Sequence, residues 1–404
     1  MTQAMSGARA TSIVKASAVA PAATARLVGV DRMRGLVILL MALDHVRDFF
    51  DADALLFSPT DLAKTYPALF LTRFITHYCA PTFVFLAGVS AFLHQIQIND
   101  APALRRFLAT RGLWLILLDL FVVSPVWALG FGKYYLGVLW AIGASMIALA
   151  PMTLLSPRAV LAIGAAIVVG HNLLDSVHAS QFGAFAPLWS LIHEKGALPF
   201  GVPGRVFYPA LPWIGIMAIG YGLGPVFIEP AARRRRTLTL LGLAAITAFI
   251  VLRLTNFYGD PKAWSMQVDG VMTVFSVLNV TKYPPSLLYA LVTLGPMLLL
   301  LPALERVGGV IGETLATFGR TPLFVYILHL YVALIAGIMM RLARGMDLQK
   351  LHDLAPGAIP RQTYGTNLVG VYVAWIVVMA ILYPACRWYA GVKRRRRDWW
   401  LSYL

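Results

Sequence analysis

Charge is scarce in this chain, and acids are scarcer than bases. Only 13% of its 404 residues are Asp, Glu, Lys or Arg, against roughly 25% in soluble domains. The apolar set AVILMFWYC reaches 59%, which excludes a soluble globular domain and also a disordered chain, whose hydrophobicity is low. Cysteine is nearly missing. Cys79 and Cys386 each lie in an apolar segment, so neither a disulfide framework nor a C-x-x-C metal pattern is present. His94 has no ligand at helical spacing, and no metal site is expected. The alternation of a membrane barrel is absent too. What remains is an all-α, polytopic membrane helical bundle.

Ten segments are long and apolar enough to cross the hydrocarbon, which takes about 20 residues: 33–51, 68–93, 107–130, 134–154, 158–174, 207–228, 237–256, 284–303, 319–342 and 367–391. The net charge is +16, but the bases flank these spans, which marks topology anchors and anionic lipid heads rather than nucleic acid. With about ten transmembrane helices, Arg26, Arg32, Arg34, Arg105, Arg106, Arg111, Arg158, Arg233–Arg236, Arg306 and Lys393–Arg397 all fall on one side. The N- and C-termini are then cytoplasmic. Arg341, Arg344 and Lys350 dissent. Residues 1–26 read as a disordered cytoplasmic tail, 27–392 as a single transmembrane domain and 393–404 as a basic cytoplasmic tail. Gly220 and Gly224 form a G-x-x-x-G, a close helix-packing pattern.

A charge inside a bilayer is costly and signals function or a buried partner. The first span holds several. Arg34, Ile38, Met41, His45 and Asp48 step by 4, 3, 4 and 3 residues, so they share one helical face. Arg34 and His45 are separated by about 16 Å along the axis. Asp44 points about 100° away from His45, so Asp48 is the expected carboxylate for one ring nitrogen, leaving the other as a base. His77 opens the membrane part of the second span and is the second candidate base. Cys79 lies about 200° from His77 and makes no dyad with it. Asp119 sits mid-span and needs a partner from another helix, such as Arg253. Tyr326 and His329 are helical neighbours in the ninth span. Lys282 precedes Pro284–Pro285, a helix start, and is either a snorkelling anchor or a substrate contact.

The block Val30-Asp31-Arg32-Met33-Arg34-Gly35, with ten residues between Arg34 and His45, resembles the R-x10-H pattern of acyltransferase-3 membrane proteins. Pro81–Gly88, Pro284–Tyr289 and Phe318–Pro322 through His329 extend the likeness. The whole chain is more similar to bacterial membrane proteins of the heparan-alpha-glucosaminide N-acetyltransferase catalytic-domain family. That resemblance implies an integral membrane O- or N-acyltransferase with no tightly bound cofactor. Acetyl-CoA or another acyl-CoA would be the cytoplasmic cosubstrate, and a carbohydrate-like hydroxyl or amine the outer acceptor. It implies a bacterial inner membrane and leaves room for a homodimer. His45 falls on the catalytic His of the acyltransferase-3 pattern. The glucosaminide acetyltransferase pattern has Asn there and its His in the following outer loop; residues 52–67 contain none. The resulting assignment is His45, Asp48, Asp44 and His77 as catalytic; Arg34, Asp31, Arg32, Arg105 and Arg106 around the acyl-CoA; and Lys282, Tyr326, His329 and Asp119 around the acceptor. The competing reading is a transporter or flippase without chemistry, which would show inverted repeats; none is visible.

Overall fold

A computed structural model describes residues 27–54, 56–347, 364–396, 398, 401 and 403; the tail assigned to 1–26 lies outside them. Helix α1 runs Val28–Phe50. Its 23 residues are mostly unbranched or aliphatic, contain no proline, and rise about 35 Å, enough to cross a bilayer. It ends where Asp51 turns extended. Helices α2 (Pro67–Thr76) and α3 (Cys79–Ile98) continue one span through His77 and Tyr78, both in helical conformation. Pro81 is tolerated there because it lies in the first turn of α3, where its missing N–H has no intrahelical acceptor.

Helix α4 (Ala101–Leu118) is capped by Asp100 and passes into a π turn, Asp119–Val123, before α5 (Ser124–Ala128). Pro125 explains the turn: it cannot donate to the carbonyl four residues back, and the wider turn absorbs the conflict. Strand β1 (Tyr134–Leu136) leads to α6 (Val138–Met152), then α7 (Pro157–Gly170). The next loop holds 3-10 turns, α8 (Ala186–Ile192), β2 (Gly196–Ala197) and β3 (Gly204–Val206). β3 pairs parallel with β1 and antiparallel with β2. There follow α9 (Ala210–Gly222), α10 (Gly224–Phe227), α11 (Ala231–Thr255), α12 (Gly270–Leu278), α13 (Leu287–Leu304), α14 (Gly309–Arg320), α15 (Pro322–Ala343) and α16 (Leu368–Arg395).

Seven helical stretches among the described residues are long and apolar enough to cross a membrane: 67–98, 101–128, 157–174, 231–255, 287–304, 322–343 and 368–395. α6 and α9 are shorter apolar helices, and α1 is long enough but charged. The protein is a multi-pass integral membrane protein. Each expected segment overlaps one of these ten helices. The sequence reading missed α14, whose glycines at 308, 309, 312 and 319 make a loop of it on propensity alone.

α1 is the central rod, packed on α3, α13, α14, α15 and α16. Glycines set the closest approaches. A Cβ on Gly35 would lie 1.9 Å from the Leu315 carbonyl oxygen, and one on Gly319 1.7 Å from that of Asp31. α1 and α14 therefore touch backbone to backbone, which is α14's hold on the bundle. Gly88 and Gly220 join α3 to α9 in the same way, and Gly112 and Gly143 join α4 to α6. Gly224 abuts Phe92, so the G-x-x-x-G packs closely, as its pattern implies. At the rim, α11 exposes Leu240, Leu243, Ile250, Val251 and Leu254, and α16 exposes Val369, Val373, Ile376, Val377 and Ile381; these stripes face lipid.

Candidate active site

The shared face of α1 holds for Arg34 and His45. Val37, Ile38 and Met41 are buried between them. His45 is half-buried and its Nδ1 lies 2.7 Å from His329 Nε2 on α15. The two rings meet edge to edge and nearly coplanar, their centres 5.0 Å apart and their planes 9° from parallel. His329 is 0% exposed, and its Nδ1 is 2.8 Å from the Val325 carbonyl oxygen. That oxygen can only accept, so His329 Nδ1 carries the hydrogen. With both rings neutral, His329 Nε2 offers a lone pair, His45 Nδ1 donates to it, and the basic lone pair of His45 is on Nε2. Trp127 of α5 meets the His45 ring edge-on at 5.3 Å, and Tyr326 at 6.3 Å.

The expected Asp48–His45 pair is corrected by this arrangement: the imidazole of His329 holds the nitrogen meant for a carboxylate. Asp48 instead accepts from Arg47 Nη2 at 2.7 Å. Asp44, buried, accepts from Arg47 at 3.2 Å and from Arg73 of α2. Two carboxylates and two guanidiniums thus neutralise one another beside His45, a condition for keeping them buried. His77 is buried too; its carbonyl accepts from Tyr289 OH at 2.8 Å, while its Nδ1 has no hydrogen-bond partner. Both imidazoles lie within electrostatic reach of Asp44, Arg73 and Lys282.

At the Arg34 end of α1 a cavity of about 380 Å³ opens between α1, α3, α4, α6, α14 and α15. Arg34, His94, Arg111, Arg320 and Lys393 line it, with Ser90 and a wall that includes Phe83, Leu115 and Leu139. Met41 and Tyr326 also line it, so it reaches within one ring of His45. Arg34 is half-buried, bonded to Ser90 and the Leu86 carbonyl, and 3.6 Å from Asp31. Of the cations expected at this mouth, Arg34 alone lines the cavity among the described residues. Arg32 is turned into the bundle, donating to the carbonyls of Leu304 and Glu305 at 3.0 and 3.1 Å. Arg105, half-buried, and Arg106, exposed, sit in the first turns of α4, off the cavity lining. Arg111, Arg320, His94 and Lys393 were read as anchors or passed over. The available signal was Arg111, a cation placed inside an apolar span.

Asp119 is a structural cap rather than an ion-pair partner. It is 0% exposed, and Oδ2 accepts from the Gly137 and Trp140 backbone at 2.7 and 2.9 Å, tying the π turn to the start of α6. Arg253, offered as its partner, donates to four carbonyls, of Lys262, Ser276, Val277 and Asn279. The Lys282 ammonium lies 5.1 Å from the Tyr283 ring centre, and that of Lys195 lies 4.6 Å from it. Tyr283 OH reaches Tyr208 OH at 3.3 Å. Burial raises the Tyr283 phenol, but the charges of Lys282 and Arg73 outweigh it and hold the phenol below its ordinary value. Burial pushes the Lys195 ammonium down. This second, polar cluster lies at the His45 end of the rod.

The profile of the family described as heparan-alpha-glucosaminide N-acetyltransferase, catalytic, matches residues 26–257. The chain belongs to that family. It is a transferase of the membrane acetyltransferase type. The matched stretch of this glucosaminide acetyltransferase-type chain covers α1, the cavity walls of α3, α4 and α6, and Lys195; α14 and α15, which bring Arg320, Tyr326 and His329, lie beyond it. No curated relative matches the chain.

Proposed function

We propose that the protein transfers an acyl group, acetyl by preference, from an acyl-CoA at the Arg34 end of α1 to a sugar-like amine or hydroxyl at the His45 end. The observation that carries this reading is the hydrogen-bonded relay Val325 carbonyl–His329–His45, which leaves His45 Nε2 basic one ring away from a cation-lined cavity. Guanidiniums suit phosphates because they bind them through paired, charge-assisted bonds. Arg34, Arg111, Arg320 and Lys393 supply that charge. A volume of about 380 Å³, narrow and apolar inside, suits the pantetheine arm, with the nucleotide at the mouth. The arm is comparable in length with the ~16 Å rise from Arg34 to His45 and would bring its thioester past Tyr326.

His45 Nε2 then takes the proton from the acceptor as its nitrogen or oxygen attacks the thioester carbon. The carbon–sulfur bond breaks, and the coenzyme A thiolate leaves with the electron pair and is protonated by the imidazolium. His329 and the Val325 carbonyl hold the tautomer. Lys282 and Lys195, outside the neutralised carboxylate–guanidinium network, bring positive charge to the side from which the acceptor enters. The membrane is the bacterial inner membrane, with the Arg34 end cytoplasmic, and the acyl-CoA comes and goes as a cosubstrate.

The test is transfer of labelled acetyl from acetyl-CoA to amino sugars by purified protein in detergent. Loss in His45→Gln with the fold retained is expected. Acceptor flux in liposomes, with neither transfer nor thioester hydrolysis, would sink the reading in favour of transport. A burst of acyl-protein without acceptor would replace direct attack by an acyl-histidine route.

A further inference from the structure

The loop 175–206 holds a cluster that the proposed chemistry does not use. His171, in the 3-10 turn that ends α7, Asp175 just beyond it, and His193 after α8 each offer one ligand atom, all within 4.8 Å of one another. Both histidines are 3% exposed. His171 Nδ1 and His193 Nε2 are 3.4 Å apart, and His193 Nε2 is 3.8 Å from Asp175 Oδ1. Around a tetrahedral zinc with bonds of about 2.05 Å, two ligand atoms stand about 3.3 Å apart; at a right angle they would stand about 2.9 Å apart. The nitrogen pair matches the tetrahedral edge, and the carboxylate, 3.8 Å from His193 Nε2, closes in by a fraction of an ångström when the metal binds.

We infer that His171, Asp175 and His193 form a zinc site that staples this loop to the end of α7. Two imidazoles and a carboxylate are a ligand set suited to zinc, with a fourth position left for water. Supporting groups are in place. Asn172 Nδ2 donates to Asp175 Oδ2 at 2.8 Å, leaving Oδ1 for the metal, and Asn172 Oδ1 accepts from Leu287 N at 2.9 Å. Trp189 packs on the His193 ring at 5.3 Å and its carbonyl accepts from the His193 backbone N–H. His171 Nε2 is buried without a full hydrogen-bond partner, while the Pro285 backbone interacts with the ring. Metal on Nδ1 withdraws charge from the imidazole and makes Nε2–H a stronger donor, which completes that bond. His193 Nε2 also lies 2.9 Å from the His171 carbonyl, a hydrogen bond that metal ligation replaces. The ligands are 4 and 18 residues apart and sit on different elements, so no spacing motif betrays them.

The site is independent of the acyl-transfer reading. The full chain, purified on a histidine-free tag from zinc-supplemented cells and washed with a weak chelator, is expected to hold one zinc per chain by elemental analysis. Stripping with a strong chelator lowers the melting temperature, and zinc alone restores it. Cobalt(II) in its place gives the visible absorption of a four-coordinate site. His193→Gln abolishes retention, restoration and colour, and His45→Gln leaves all three intact. Asn172→Ala weakens zinc affinity about 10–100-fold while the chain still folds. No retained zinc and no zinc-dependent melting shift in the unaltered chain overturns the inference. So does an unchanged zinc response in a folded His193→Gln or Asp175→Asn variant, which marks adventitious binding.

Discussion

The two ends of α1 handle charge in opposite ways. At the Arg34 end the cations gather around a cavity, five basic or imidazole side chains along its lining. Arg34 and Arg320 also lie 3.6 and 3.7 Å from Asp31 and Glu313, yet all five side chains border the open space, where an anion can reach them. At the His45 end, Asp44 and Asp48 face Arg47 and Arg73, so these four charges cancel internally beside the imidazole proposed as the base. Under the proposed function one helix would thus carry a grip and a base, kept apart by apolar turns. The difference teaches that an intramembrane charge has two distinct explanations, and that its partners decide which applies.

The largest effect expected is on the base. His45→Gln should lower kcat by about 10²–10⁴ while labelled acyl-CoA still binds; loss of both would merge the two ends into one site. Next comes the internal charge balance. Asp44→Asn removes one side of a buried network, a change that costs about 3–5 kcal/mol; a melting curve in detergent should drop markedly, whereas Arg34→Gln, whose contact with Asp31 is longer at 3.6 Å, should lower it less. Equal losses would erase the contrast.

His329→Asn should lower kcat by about tenfold, as would be expected of a positioning residue worth about 1.4 kcal/mol, and change the acid limb of the pH profile. An unchanged limb would mean that His45 does not take its tautomer from His329. Arg34→Gln or Arg111→Gln should raise KM for acyl-CoA about tenfold each, the worth of one charge-assisted bond, with kcat little altered. KM should also rise with salt, because the mouth is solvent-connected. The smallest effect concerns Tyr283. Its phenol sits below its ordinary value and ionises early as pH rises. Tyr283→Phe should therefore extend the alkaline limb of acceptor kcat/KM by less than about one pH unit; no extension would separate the Lys195–Lys282 cluster from acceptor handling.

The spans were legible because apolar length is written directly in the chain, and Arg34 with His45 because helical periodicity fixes which residues share a face. The partner of His45 was not. His329 lies 284 residues away, and Asp48, right by spacing, is drawn off by Arg47, its own neighbour. Asp119 misled in a similar way: a carboxylate in mid-span suggests an ion pair, but the start of α6 leaves the Gly137 and Trp140 N–H groups for it to satisfy. α14 was hidden because its glycines signal a loop until a second backbone is laid against them. The cavity's Arg111 and Lys393 were discounted since basic residues near span ends ordinarily report topology, and only packing separates an anchor from a ligand.

The glycine contacts described for α1–α14, α3–α9 and α4–α6 have a further consequence. Each pair is pinned backbone to backbone at these glycines, and the cavity lies along the seams where the three pairs meet. Widening of that cavity would come from the pairs parting like staves rather than from a helix sliding against its own mate. Under the proposed acyl transfer, the length of the group admitted would then be a property of the seams and not of any one side chain within them.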